Sequence, residues 1–338
     1  MPSAIPPSVA SYVQASLGAQ SQTLITSVLS TPSTWLALRV VYAAIHGVED
    51  VSRGHSLGQH AVESRPVIFV SLLRPLSLWT EMGRKMGLDV QSLLQNRRII
   101  YIDGLTFPSG HSSPADASLP PTIKLKSLAL SAVRDAVNTA LKSMASSTAT
   151  ASATSSQSPS MLTASSSATP TPRMLPPPAS RPTAAASPST TLPSTKPVIL
   201  LDGTDFALAS EPSCSTLALD SFLSSLRAQC HALVVTGNAD GPLLQTAGSE
   251  TGTSPGTPLE RNHAHFLTSM AHRCQWVWQL RGLDTGSAKD VTGVLRMSRG
   301  GDLGSEEDEI GPAERLPDAE WLYQVKGDSS VRVWSRGE

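Results

Sequence analysis

The chain has 338 residues, of which 16% are charged, and a formal net charge of −1 at pH 7. That length allows one or two cores, and the near-neutral balance excludes a global basic field for nucleic acid while leaving room for local patches. Cys214, Cys230 and Cys274 lie far apart and read as buried thiols in a reducing compartment, not as a disulfide frame or a zinc site. No apolar run approaches the ~20 residues that a membrane helix needs. The N-terminal MPSAIPPSVASYVQ lacks the positive region and apolar core of a secretory signal. The expectation is a soluble intracellular protein of the cytoplasm, with the nucleus as a second compartment and no membrane contact.

In chain order, residues 23–29 (TLITSVL) predict a first strand, and residues 33–46 a helix with Leu36, Val40 and Ala44 on one face. A buried strand follows at 67–73, then a helix at 76–86 carrying Trp79, Met82 and Met86 at helical spacing, then a strand at 98–102. A helix is expected over 123–144, after Pro120-Pro121, aligning Leu130, Val133, Val137, Leu141 and Met144. From 145 to 193 the chain is almost wholly Ser, Thr, Ala and Pro, with Arg173 and Arg181 its only charges. Such a stretch cannot bury enough apolar surface to offset its ordering entropy, so disorder is predicted. Residues 196–238 then repeat the grammar of 65–105: buried strand, loop, amphipathic helix (here 217–229), buried strand. The best helix start is at Pro258, where Thr257 caps, Pro258 suits the first position and Glu260 completes a capping box. Its apolar face is Leu259, Phe266, Leu267 and Met270. The tail turns antiparallel: a strand at 291–297, then a hairpin of 321–326 and 330–334 around Gly327-Asp328.

Short, continuous apolar strands belong to parallel sheets covered on both faces. The expected fold is therefore three-layer α/β/α, with a mostly parallel central sheet and a C-terminal antiparallel hairpin. Neither flank of the low-complexity stretch looks complete alone. The predicted organisation is one domain in two parts, 1–144 and 197–338, interrupted by an insert at 145–196.

The chemistry of nucleotide-binding α/β folds needs GxxxxGK[ST] after the first strand, where backbone N–H groups cradle phosphate and Lys reaches the terminal groups. Here that strand leads into Ser30-Thr31-Pro32-Ser33-Thr34, with no glycine and no lysine, and Pro32 removes a donor. Two strands end in Asp-Gly, at Asp103-Gly104 and Asp202-Gly203, in the manner of a magnesium-side carboxylate. Without a cradle, these aspartates are read as turn or helix-end hydrogen-bonding groups marking an emptied site. His263, His265 and His272 share one helix, but none has a histidine four residues away, so surface or interface histidines are expected. His46, His55 and His60 are scattered, and no GxSxG elbow is present. Arg97-Arg98, Lys124/Lys126, Arg296/Arg299 and Arg332/Arg336 form small basic groups, and the acidic run 306–309 reads as a solvated loop. No catalytic residue, metal ligand or cofactor contact is assigned. Arg97, Arg98 and Asn238 are kept as candidate RNA or partner contacts.

The block VIFVSLLRPLSLWTEMGRKMGLDV…RRIIYIDGL resembles the hallmark stretch of the sixth subunit of the Elongator complex. There, a strand ending in Ser-Leu/Phe-Leu-Arg precedes a Trp-bearing helix, and Gly-Leu-Asp leads to a strand ending in Asp-Gly-Leu. VILLDGTDFAL and HALVVTGNAD fit that family's order of elements. The resemblance covers most of the chain outside the insert and residues 301–312. It implies a RecA-like domain without its own nucleotide motif and not itself an enzyme. It also implies a hetero-hexameric ring with Elongator subunits four and five, joined to the rest of that complex. The ring would bind tRNA and support modification of the wobble uridine (U34), with catalysis in another subunit. By the same resemblance, loops 203–212 and 237–257 would face the ring's pore. An active RecA-like ATPase, and a scaffold with no RNA role, are the alternatives.

Overall fold

The computed structural model describes residues 5–48, 64–106, 122–154, 196–244, 256–286, 288–302 and 316–337. In chain order these form α1 (Pro7–Ser16), β1 (Ser21–Ser27), α2 (Thr34–His46), β2 (Val67–Ser71), α3 (Leu76–Lys85), α4 (Val90–Gln95), β3 (Ile99–Asp103), β4 (Thr122–Lys124) and α5 (Leu130–Thr154). Then come β5 (Val198–Asp202), α6 (Thr204–Ser210), α7 (Thr216–Gln229), β6 (Ala232–Asn238), α8 (Gly241–Leu244), α9 (Pro258–Arg273), β7 (Trp276–Arg281), β8 (Gly293–Arg299), β9 (Ala319–Val325) and β10 (Val331–Trp334). The chain divides into two units, residues 1–142 with 195–338 and residues 143–194. All of these strands belong to the first unit.

The strands join one sheet in the order β10-β9-β8-β7-β1-β6-β5-β2-β3-β4. From β7 to β4 every pairing is parallel, and β8, β9 and β10 add antiparallel to the other edge. This is the expected arrangement of a mostly parallel sheet ending in an antiparallel hairpin. Strands β1, β2, β3 and β5 are buried at every position, and in β2, β3 and β5 this shows as continuous apolar runs, whereas β1 (SQTLITS) buries mostly polar side chains. Val67, Phe69, Ile99, Tyr101, Val198 and Leu200 face a core shared with α1, α2, α3 and α4. Their neighbours Ile68, Val70, Ile100, Ile102, Ile199 and Leu201 are equally buried and point the other way, as strand alternation requires. On that second face α7 packs on α9 and β6, and the Arg134 guanidinium of α5 lies over the Phe222 ring of α7.

Several expectations need correction. The helix expected over 123–144 begins only at Leu130, because residues 122–124 pair with β3 as a short strand. β-Branched Thr122 and Ile123 suit an edge strand better than a first helical turn. The same helix runs to Thr154, past the expected start of the insert, although six of residues 145–154 are Ser or Thr, which are only middling helix formers. Residues 204–210, expected as loop, form α6. α2 is not one-sided: eleven of its thirteen residues are buried, because it sits beneath α1, α3 and the sheet. α1 and the parallel strand β7 were not anticipated. α1 starts with Pro7 at its first turn and buries Val9, Tyr12 and Val13, and Tyr12 makes edge contacts with Trp276 and Trp321. The Thr257–Glu260 capping box forms as expected, whereas Leu259 on the predicted apolar face is exposed. Residues 155–195, the acidic run 306–309, His55 and His60 lie outside the described residues, as does much of the expected loop 237–257.

Candidate functional site

The chain passes from β1 through α2 to β2, across β6 and β5, whereas from β6 it passes through α9 to β7, across β1. Between β1 and β6, therefore, the connections leave in opposite directions. Open α/β sheets bind ligands beyond the carboxyl ends of their strands at such a switch point. Here that place is bordered by Ser27 after β1 and by Gly203, Asp205 and Asn238 after β5 and β6, with Leu73 and Arg74 of the β2–α3 loop completing it. The space left among them is too small to admit a water molecule, whereas an ordinary small-molecule site offers roughly 300–1,000 Å³.

Asp202, the last residue of β5, is fully buried and organises the crevice. Its Oδ1 forms an ion pair with Arg74 Nη1 and accepts the Thr236 hydroxyl at 3.0 Å. Thr236 Oγ1 in turn accepts the Gly203 N–H at 3.0 Å. Ser71 Oγ lies 3.0 Å from Asp202 Oδ2 and 2.8 Å from the Arg74 carbonyl, so its proton serves two acceptors, and it accepts Trp79 Nε1–H at 3.3 Å. The Tyr101 hydroxyl donates to the Arg74 carbonyl at 2.9 Å. Arg74 is thus positioned from its backbone as well as its side chain. Burial pushes the Asp202 carboxyl up, while Arg74 and the Thr236 and Ser71 hydroxyls pull it down; burial has the larger effect. The guanidinium and the two hydroxyls around the buried carboxyl offset part of its burial penalty.

The local chain geometry serves this closure. Gly203 has φ 74°, in the left-handed region, and a Cβ there would stand 2.7 Å from Leu73 Cβ. Only glycine lets the β2–α3 loop settle so closely over the end of β5. Asp205 Oδ2 accepts both Asn238 N–H (3.2 Å) and Asn238 Nδ2–H (2.9 Å), while the Asn238 carbonyl faces His263 Nε2 at 2.8 Å. His263 is buried, not a surface histidine as expected, and its role is to hold the end of β6; His265 and His272 are exposed.

The two strand-end aspartates differ. Asp103 Oδ1 accepts the N–H groups of Leu105 and Thr106, each at 2.9 Å, which is the turn-capping role expected. Asp202 instead holds a cation from another segment. A larger cleft of about 1080 Å³ lies between α3, α4 and the ends of β3 and β4, away from the switch point, with Arg84, Lys124 and Asp89 among its walls. Among the described residues, no group of three or more His, Cys, Asp or Glu side chains is placed to hold a metal ion.

Of the three candidate contacts, Asn238 sits in the crevice, while Arg97 and Arg98 precede β3 at the opposite end of the sheet, roughly 16 Å away along a five-residue strand. The structure does not bring them together. Arg98 donates to the Ile45 carbonyl at 3.4 Å and to the Ser64 hydroxyl, tying the end of α2 to the start of β3. Arg97 is exposed. Sequence reasoning passed over Arg74, Ser71 and Thr236 as site residues. The available signal was a Ser and an Arg three residues apart at the end of a strand that neighbours one ending in aspartate.

No protein-family model matches this chain, and no curated protein matches it in sequence. Among solved structures it is similar to a KaiC-like protein from the hyperthermophilic archaeon Pyrococcus horikoshii OT3. The two are 12% identical over 94% of this chain and 90% of that one, with a TM-score of 0.45.

Proposed function

We propose that this chain is a non-catalytic, RecA-like subunit of an Elongator-type assembly, which combines with two related subunits into a ring that binds tRNA for wobble-uridine modification. The observation that carries the reading is the Arg74–Asp202 pair. In an ATPase of this architecture, the strand-end carboxylate serves a magnesium ion on the nucleotide's phosphates. Here a tethered guanidinium takes that carboxylate, and the β1–α2 loop offers Pro32 and Thr31 where a phosphate cradle needs glycine and lysine. Ser71, Arg74, Trp79 and Tyr101, which hold Asp202 and its partner in place, belong to the block that resembles the Elongator subunit.

Two measurements test the reading. Tagged full-length chain should co-purify with two RecA-like subunits, identified by mass spectrometry; purification without such partners overturns the assembly. Purified chain should show no rise in thermal midpoint with Mg-ATP, since a ligand stabilises only the state that binds it. A midpoint that climbs with ATP concentration would instead establish an active nucleotide site.

A further inference from the structure

The cleft beside α3 and α4 lies away from the crevice at the switch point and reaches the carboxyl ends of β3 and β4. At about 1080 Å³ it stands at the upper end of the range for small-molecule sites. Its charged groups are unevenly engaged. Each carboxylate in the walls already has a partner. Glu81 Oε1 pairs with Lys85 at 3.0 Å, Asp89 Oδ1 accepts the Ser92 N–H at 3.0 Å as the cap of α4, and Asp103 Oδ1 holds the Leu105 and Thr106 N–H groups. The two cations in the walls, Arg84 and Lys124, have none. Among the described residues, no carboxylate forms an ion pair with either. Lys124 is half-buried and in register with Asp103 on the neighbouring strand, yet the two do not pair.

The start of α3 is open in the same sense. Its N-cap is Pro75, which makes no side-chain cap, and its first turn holds no acidic residue. The N–H groups of Leu76 and Ser77 find no acceptor in the structure, and both residues line the cleft. Unsatisfied N–H groups at a helix start favour an anion. That preference is slight alone, but here it adds to Lys124, which stands at the same end of the sheet. Leu76, Leu88 and Val90 supply apolar wall beside these groups.

We infer that the cleft is a binding site for a small amphipathic anion. A carboxylate or phosphate head would sit at Lys124 and the start of α3, with its apolar body along Leu76, Leu88 and Val90. Arg84, eight residues beyond Leu76 and so about 12 Å along α3, adds a second positive charge at the far end of the cleft. A cationic ligand would meet these two unpaired cations and carboxylates that already have partners.

The test uses octanoate and octyl phosphate, which share a body and differ in head, with octylamine as the cationic counterpart. Full-length chain is titrated with each by isothermal titration calorimetry. At least one of the anions should bind saturably, the tighter of the two identifying the head, and octylamine should not bind. Lys124→Gln should weaken anion binding roughly ten-fold or more, the loss expected for one charge-assisted hydrogen bond, and Arg84→Gln by less. Lys126→Gln removes the same charge outside the cleft and should leave the affinity unchanged. Octylamine binding as tightly as the anions would reveal a merely apolar surface and overturn the inference. Absence of saturable binding by both anions, or an unchanged affinity in Lys124→Gln, would overturn it as well. None of these outcomes bears on the function proposed above, which rests on the Arg74–Asp202 pair at the crevice.

Discussion

Replacing Arg74 with alanine should be among the most damaging single changes in this chain. Arg74 is 17% exposed at its side chain and Asp202 is 0% exposed. The substitution therefore leaves a buried carboxylate with only the Thr236 and Ser71 hydroxyls around it. Removing one partner of a buried ion pair costs about 3–5 kcal/mol. For a domain of this size each kcal/mol lowers the thermal midpoint by roughly 2–4 °C, giving a fall of roughly 6–20 °C. The deficit should depend on pH in a defined direction. Asp202 already sits above the ordinary carboxylate range through burial, and without Arg74 it moves further up. A group whose folded-state pKa is raised binds more protons in the folded state, so its contribution is present at low pH and lost as pH rises through that pKa. The Arg74→Ala protein should therefore recover part of its lost stability between pH 7 and pH 5, relative to wild type. Replacing both partners, as Arg74→Met with Asp202→Asn, should restore most of the midpoint, because no charge is then left unpaired. Differential scanning fluorimetry across that pH range reads all three. An Arg74→Ala midpoint within about 2 °C of wild type, or a deficit that ignores pH, would refute the account of the crevice.

Gly203→Ala tests the closure of the same loop. The left-handed φ costs an L residue about 1–2 kcal/mol and the new Cβ would stand 2.7 Å from Leu73 Cβ, so the midpoint should fall by several degrees; an unchanged value would mean that the loop does not pack on β5 as described. Alkaline pH tests the buried thiols. Burial pushes Cys230 up to about 12 and raises Cys274 as well. Their contribution is complete below the unfolded value near 9 and is lost as pH climbs from there toward 12, at about 1.4 kcal/mol per pH unit for each thiol once the unfolded group is ionised. Urea midpoints measured from pH 8 to pH 10 should decline, and Cys230→Ala should flatten the decline. An equal slope in that variant would show that Cys230 is not buried as a neutral thiol.

Much of this architecture is written in short stretches of sequence, because its signals are local. Val67–Ser71, Ile99–Asp103 and Val198–Asp202 advertise strands covered on both faces by having no polar alternation before their last residues. The start of α9 is determined by three adjacent residues that satisfy one another's backbone groups, so its capping box could be read directly. The missing phosphate cradle was equally plain, since the backbone chemistry of that loop depends on consecutive residue types. Short or one-off elements were less legible. β4 has three residues, too few for any period to show, and it exists because β3 offers it a partner. β7 joins the sheet beside β1, a strand some 250 residues earlier in the chain. The functional features depend most on tertiary structure. Asp202 could be seen ending a strand, but not that Arg74, 128 residues before it, would supply its counter-charge. Backbone conformation and caps follow from neighbours in the chain, whereas the pairing of charges follows from which strands lie side by side, and only the folded sheet decides that.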